Sequence, residues 1–104
     1  MEGKILRLKE QREINRGLSL LIKTDIEEAK RLLGEIRILE SIAKLNDVKN
    51  IIERASRLDY YPKHDLKVTI ARYNAIVNEP LMLKYTHLPQ FPKYFKVKQA
   101  EVSA

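Results

Sequence analysis

The sequence predicts an all-α protein, a small bundle of about four helices followed by an extended C-terminal tail. The 104-residue chain has only three glycines and four prolines, too few turn residues for a many-stranded β fold. With 44% hydrophobic and 33% charged residues it is too apolar for a disordered chain. Apolar residues also recur every three or four positions through most of the chain before Pro80. A chain of this length is expected to form one folded unit, with the bundle over residues 1–79 and the tail over residues 80–104.

The first helix is predicted from Lys4 to Lys23. Ile14, Leu18 and Leu21 form an apolar stripe in its second half, whereas its first half is polar. We therefore expect the second half to pack and the first half to project. Gly17 lies inside the stripe, where it costs about 1 kcal/mol relative to alanine, and it indicates either a kink or a close approach to another helix.

The second helix is predicted from Thr24 to Leu45 and is expected to be central. It opens with a capping box, in which the Thr24 hydroxyl accepts from the Glu27 N–H and the Glu27 carboxylate accepts from the Thr24 N–H. The short link at Lys23 makes the first two helices an antiparallel hairpin. Apolar residues cover so much of this helix that neighbours on more than one side are expected.

Two further helices are predicted before the tail. The pair Asn46–Asp47 is suited to ending one helix and capping the next, and an apolar stripe then runs from Val48 to Leu58. A continuous helix through Asn46 is the alternative, because neither glycine nor proline interrupts it. The fourth helix is predicted from Asp65 to Asn78, just before Pro80.

The tail is distinctive because four of the seven aromatic residues lie in it, interleaved with lysines. Alternating apolar and polar residues predict short extended pieces, with a β-hairpin as one option. The tail can fold back and close the bundle, bind a groove or sheet edge of a protein partner, or stack on single-stranded nucleic acid. We favour a protein partner over nucleic acid, because the tail also contains leucines and prolines, which stacking on a single strand does not require. The residues assigned to protein binding are Tyr85, Leu88, Pro89, Phe91, Pro92, Tyr94 and Phe95.

The chain is basic, with 20 lysines and arginines against 14 acids and a net charge of +6. The first helix carries a row of cations that can lie along phosphates. An ordinary solvated helix face is the alternative, because Glu10 and Glu13 interrupt the row. Together with the lysines of the tail, the residues assigned to nucleic-acid binding are Lys9, Arg12, Arg16, Lys23, Lys93, Lys96 and Lys98.

The sequence offers little for catalysis. The two histidines, His64 and His87, lack the spacing of metal ligands, there is no cysteine, and no glycine-rich phosphate loop exists. We therefore expect no enzyme, no metal and no cofactor. No stretch approaches the roughly 20 apolar residues that span a bilayer, so we expect a soluble, cytoplasmic protein.

These observations predict a non-enzymatic accessory or adaptor subunit of a larger nucleic-acid-handling assembly, such as a polymerase, a ribosome-like particle or a viral complex. In this hypothesis the tail binds a larger protein and the first helix contacts phosphates of DNA or RNA. The alternative is a helical protein that binds duplex DNA directly through its first helix, as a dimer. The sequence does not predict an oligomeric state.

Overall fold

The helical class predicted from the sequence is confirmed by a computed structural model, which describes residues 7–95. The helices are α1 (Leu8–Gly34), α2 (Ile38–Ser56), α3 (Lys63–Val77) and a short α4 (Pro80–Leu83). Residues 7–95 contain no strand, so the β-hairpin option is not seen there. Within the same residues no helix is long and apolar enough to cross a membrane.

The predicted boundary between the first two helices is wrong. α1 continues through Lys23 and Thr24, and the chain instead reverses at residues 35–37, inside the helix predicted from Thr24 to Leu45. A capping box starts a helix only where the preceding residues are not already helical. No glycine or proline lies next to Lys23 and Thr24 to interrupt the helix there. The helix predicted from Thr24 to Leu45 is therefore divided between α1 and α2, and α1 is longer than the predicted first helix.

The turn between α1 and α2 is a Schellman motif. The Arg37 N–H donates to the Leu32 carbonyl and the Ile36 N–H donates to the Leu33 carbonyl, both at 2.9 Å. Ile36 has a φ of 60°, in the left-handed region where glycine is usual. For an L-residue this conformation costs about 1–2 kcal/mol. Gly34 lies two residues earlier, within α1, so the turn does not use its glycine to relieve this strain.

The alternative of a continuous helix through Asn46 is the observed one, because α2 runs unbroken from Ile38 to Ser56. Asn46 uses its amide elsewhere, since its Nδ2 donates to the Gln90 carbonyl at 2.8 Å. α3 begins two residues before the predicted start and ends one residue before the predicted end.

α1 and α2 pack antiparallel, and α3 packs against both. The Ser41 hydroxyl, fully buried, donates to the Ala29 carbonyl at 2.9 Å and ties the two long helices together. The main core cluster contains residues from all four helices. Its buried members are Ile22, Ile26, Ala29, Ile38, Ile42, Leu45, Val48, Ile52, Tyr73, Ile76, Val77 and Met82.

Residues 80–95 fold back and close the bundle, which is one of the three uses considered for the tail. Met82 and Pro92 are fully buried. The Tyr73 hydroxyl donates to the Lys93 carbonyl at 2.8 Å. The Asn74 amide donates to the Phe95 carbonyl at 2.9 Å and accepts from the Phe95 N–H at 3.1 Å. Polar groups of α3 thus fix the backbone at the end of the described chain.

Candidate nucleic-acid interface

The N-terminal half of α1 extends away from the core. A helix of 27 residues is about 40 Å long, and the principal extents of the molecule are 50 × 31 × 21 Å. Asn15 contacts the loop before α3, because its Nδ2 donates to the Tyr60 carbonyl at 2.9 Å. The first buried residue is Ile22. The prediction that Ile14 and Leu21 pack is wrong, because they are 38% and 48% exposed.

One face of α1 carries a row of cations, which we call the basic row: Lys9, Arg12, Arg16, Lys23 and Lys30. Because α1 is continuous, residues seven apart stay on one side of it, and the five positions fall within about 60° around the axis. All five side chains are exposed. Glu10 and Glu13 lie outside this arc, and Glu27 is the acid within it.

The cations of the basic row differ from the arginines near the turn. Within residues 7–95 none of the five forms an ion pair. In contrast, Arg31 lies 2.6 Å from both Glu28 and Glu35, and Arg37 lies 2.6 Å from Glu40. The hydrogen bonds from Arg31 lower the pKa of the Glu28 and Glu35 carboxyl groups. The acids around the turn are therefore paired with Arg31 and Arg37, whereas the cations of the basic row are not held in such pairs within the described residues.

The structure brings together four of the predicted nucleic-acid-binding residues and separates a fifth. Lys9, Arg12, Arg16 and Lys23 share the basic row, whereas Lys93 is exposed on the segment that packs against α3. The remaining two predicted residues, Lys96 and Lys98, lie outside the described residues.

Sequence reasoning missed Lys30, because the predicted turn at Lys23 and Thr24 assigned it to another helix. The signal was present in the sequence, since Lys9, Arg16, Lys23 and Lys30 follow one another at intervals of seven residues. An interval of seven keeps side chains on one face of a continuous helix.

A cleft of about 380 Å³ between α1 and α3 extends the basic surface. It places Lys23 of the basic row with Arg72 and His64 of α3, and Asp65 is the acid in its lining. Arg72 is a second residue that sequence reasoning missed, and only the packing of α3 on α1 brings it beside Lys23. The cations of this cleft can contact an anionic polymer that runs along α1.

A second cleft, of about 540 Å³, lies at the turn that follows the C-terminal end of α1, and we call it the turn cleft. It is formed by residues 36–40 together with Tyr85, His87 and Leu88. Ile36 and Leu39 are 70% and 60% exposed, so the cleft has an apolar rim. The Tyr85 and His87 rings stack with their centroids 6.5 Å apart.

The predicted protein-binding residues divide between this cleft and the core. Tyr85 and Leu88 line the turn cleft and also pack against the core, and Pro89 and Tyr94 are exposed outside the cleft. Pro92 is buried, and Phe91 and Phe95 pack against the core, where Phe95 makes an edge contact with Tyr73 at 5.3 Å. Five of the seven predicted residues, all but Pro89 and Tyr94, therefore contribute to the packing of the fold.

The two histidines are not placed to act together. His64 lines the cleft between α1 and α3 and His87 lines the turn cleft. Residues 7–95 hold no group of three histidine, aspartate or glutamate side chains arranged for a metal ion. Comparison of the chain with family models, curated proteins and solved structures gives no match.

Proposed function

We propose that this protein is a non-enzymatic accessory subunit of a nucleic-acid-handling assembly, such as a polymerase, a ribosome-like particle or a viral complex. It contacts phosphates through the basic row and a larger protein through the turn cleft. The observation that carries the proposal is that five exposed cations share one face of α1 without an ion pair in the described residues, while Arg31 and Arg37 are paired.

The length of the basic row suits a duplex. From Lys9 to Lys30 it spans about 31 Å, close to one turn of B-form DNA at about 34 Å. Each phosphate contact releases counterions, so five contacts to duplex DNA give a slope of about −4.5 for log affinity against log salt concentration. The corresponding slope for a single strand is about −3.5.

Fluorescence anisotropy with labelled duplex and single-stranded oligonucleotides, measured over a range of salt concentrations, tests the phosphate contact. The double variant Arg12→Gln, Arg16→Gln removes two contacts and should make the slope on duplex shallower by about 1.8. The matched control is Lys63→Gln with Lys67→Gln, which removes the same charge from exposed positions of α3. Equal losses in the two variants would show that net charge alone attracts the oligonucleotide, and the proposed contact would be wrong.

The protein contact is tested at Leu39, which is 60% exposed on the rim of the turn cleft. In a pull-down from nuclease-treated lysate of the source cells, the wild type should retain a partner protein at a stoichiometric amount. The Leu39→Ser variant should not retain this protein. Leu8→Ser is the matched control, because Leu8 is 62% exposed and lies at the other end of α1. Retention by both variants would exclude the turn cleft as the contact.

Direct binding of duplex DNA by the isolated protein is the second candidate, and it is favoured by the match between the basic row and one duplex turn. An accessory subunit needs only non-specific affinity, with a Kd of roughly 1–100 μM at physiological salt, whereas a specific DNA-binding protein reaches about 10 nM or tighter. The anisotropy measurement on duplexes of different sequence separates the two. Tight binding that depends on sequence would favour the direct role.

A further inference from the structure

α1 exposes apolar side chains on the side opposite the basic row. Ile14 and Leu21 are 38% and 48% exposed, and Leu18 between them is half-buried. Ile14 and Leu21 are seven residues apart, so they lie within about 20° of each other around the helix axis. These residues and Gly17 form what we call the pairing face.

Gly17 has no role within the described chain. It has no positive φ, and a Cβ added to it would meet no atom within 4 Å. Glycine disfavours the interior of a helix relative to alanine, so its presence weakens α1 without relieving strain or a clash. A glycine on an exposed apolar face permits the close approach of another backbone.

The pairing face has the symmetry that self-association requires. Gly17 and Leu18 flank its midpoint, and Ile14 and Leu21 lie at equal distances on either side. In an isologous pair related by a two-fold axis, residue i contacts residue j and residue j contacts residue i. We propose that α1 pairs antiparallel with α1 of a second copy of this chain, with Ile14 against Leu21 of the second copy and Gly17 against Leu18 of the second copy.

The charges at the ends of the pairing face favour the antiparallel direction. It places Arg7 opposite Glu28 of the second copy, an opposite-charge pair, and Glu10 opposite Asp25 of the second copy, a like-charge pair, and each of the two pairs occurs twice. A parallel pair would place each of these four residues against its own copy, so every contact would be between like charges. Asp25 is in addition 4.0 Å from Lys44 of its own chain, which offsets its charge.

The size of the face determines the strength of the association. From Arg7 to Glu28 the helices share about 31 Å, and a strip of helix surface roughly 10 Å wide covers about 300 Å² on each copy. Stable complexes bury about 800 Å² on each partner. The dimer is therefore weak, and it forms at micromolar concentrations or above.

Analytical ultracentrifugation of the full chain over a wide concentration range is the first test. The wild type should pass from monomer to dimer, and Leu21→Glu should raise the dissociation constant at least tenfold. Leu20→Glu is the matched control, because Leu20 is more exposed, at 64%, but points about 100° away from Leu21. A wild type that stays monomeric, or equal effects of the two substitutions, would overturn the proposal.

The Gly17→Ala variant distinguishes an effect on the stability of the monomer from an effect on dimerisation. Alanine strengthens the helix, so the melting temperature of the monomer should rise, while the added methyl group separates the paired backbones and weakens the dimer. A variant that is more stable and dimerises as well as the wild type would show that Gly17 does not lie in the contact.

Disulfide cross-linking tests the direction, and the chain contains no cysteine to interfere. A mixture of Ile14→Cys and Leu21→Cys proteins should form mixed cross-linked dimers, and each protein alone should form few. Leu20→Cys sets the background from random collision. Efficient cross-linking of each single variant with itself would indicate a parallel pair and would overturn the antiparallel arrangement.

Discussion

Ile36 combines a costly backbone conformation with an exposed side chain, and it allows a test of the turn at one position. Its φ is 60° and it is 70% exposed. Replacement by glycine and, separately, by alanine removes the same side chain beyond Cβ. The two variants then differ only in the presence of a Cβ at a left-handed position.

The expected difference follows from two terms. A left-handed conformation costs an L-residue about 1–2 kcal/mol, and glycine loses about 0.4–1 kcal/mol more than alanine through the entropy of the unfolded chain. Ile36→Gly should therefore be more stable than Ile36→Ala by roughly 0.5–1 kcal/mol. At Ala43, exposed within α2, the order should reverse, and Ala43→Gly should lose about 1 kcal/mol.

Thermal and urea unfolding followed by circular dichroism measure both pairs. For a domain of this size, 1 kcal/mol corresponds to a shift of about 4–8 °C in Tm. Ile36→Asn should fall between the glycine and alanine variants, because asparagine tolerates the left-handed region. If alanine at position 36 is as stable as glycine, the turn is not left-handed and the argument from strain fails.

Three further predictions concern the segment that closes the bundle. A chain ending at Asn78 should lose cooperative thermal unfolding, whereas a chain ending at Phe95 should keep it; a sharp transition in the shorter chain would show that residues 80–95 are dispensable. Asn74→Ala removes both hydrogen bonds to the Phe95 backbone and should lower the free energy of unfolding by about 1–3 kcal/mol in urea titrations, and an unchanged midpoint would contradict those bonds. Burial raises the pKa of the Tyr73 hydroxyl, so the folded state keeps this proton where the unfolded state, with an ordinary pKa of about 10, has lost it. The free energy of unfolding should therefore fall as pH rises above about 10, and Tyr73→Phe should reduce that fall in unfolding curves recorded at successive pH values.

The class of the fold could be predicted because composition and apolar periodicity act over the whole chain. The turn could not, because its local signals are in the wrong places. Thr24 and Glu27 have the spacing of a capping box but lie inside α1. The true turn has Ile36 at the position where glycine is the usual signal, and Gly34 precedes it by two residues. The helix end is therefore set by the packing of α2 on α1, which a local pattern does not contain.

The tail shows a different limit of sequence reasoning. Large apolar side chains suit a core and a binding segment equally well, so the pattern of Phe91, Pro92 and Phe95 allowed both. The structure distinguishes them through polar groups of α3, because Tyr73 and Asn74 bond to the backbone of this segment. Such long-range partners of buried polar groups are required by the fold but are not visible in a single sequence.

Three features of the described chain depart from local preference: the left-handed Ile36, the helical Gly17 and the row of exposed cations on one face of α1. Natural sequences tolerate such local conflicts mainly at functional sites. Ile36 and Gly17 are about 28 Å apart along α1, beyond the 7–10 Å or so at which substitutions couple. In the monomer, the effects of Gly17→Ala and Ile36→Gly on the free energy of unfolding should therefore add within about 0.5 kcal/mol. The measurement is urea unfolding at protein concentrations below those at which the chain dimerises. A larger deviation of the double variant from the sum of the two single variants would show that the turn and the pairing face are coupled through α1.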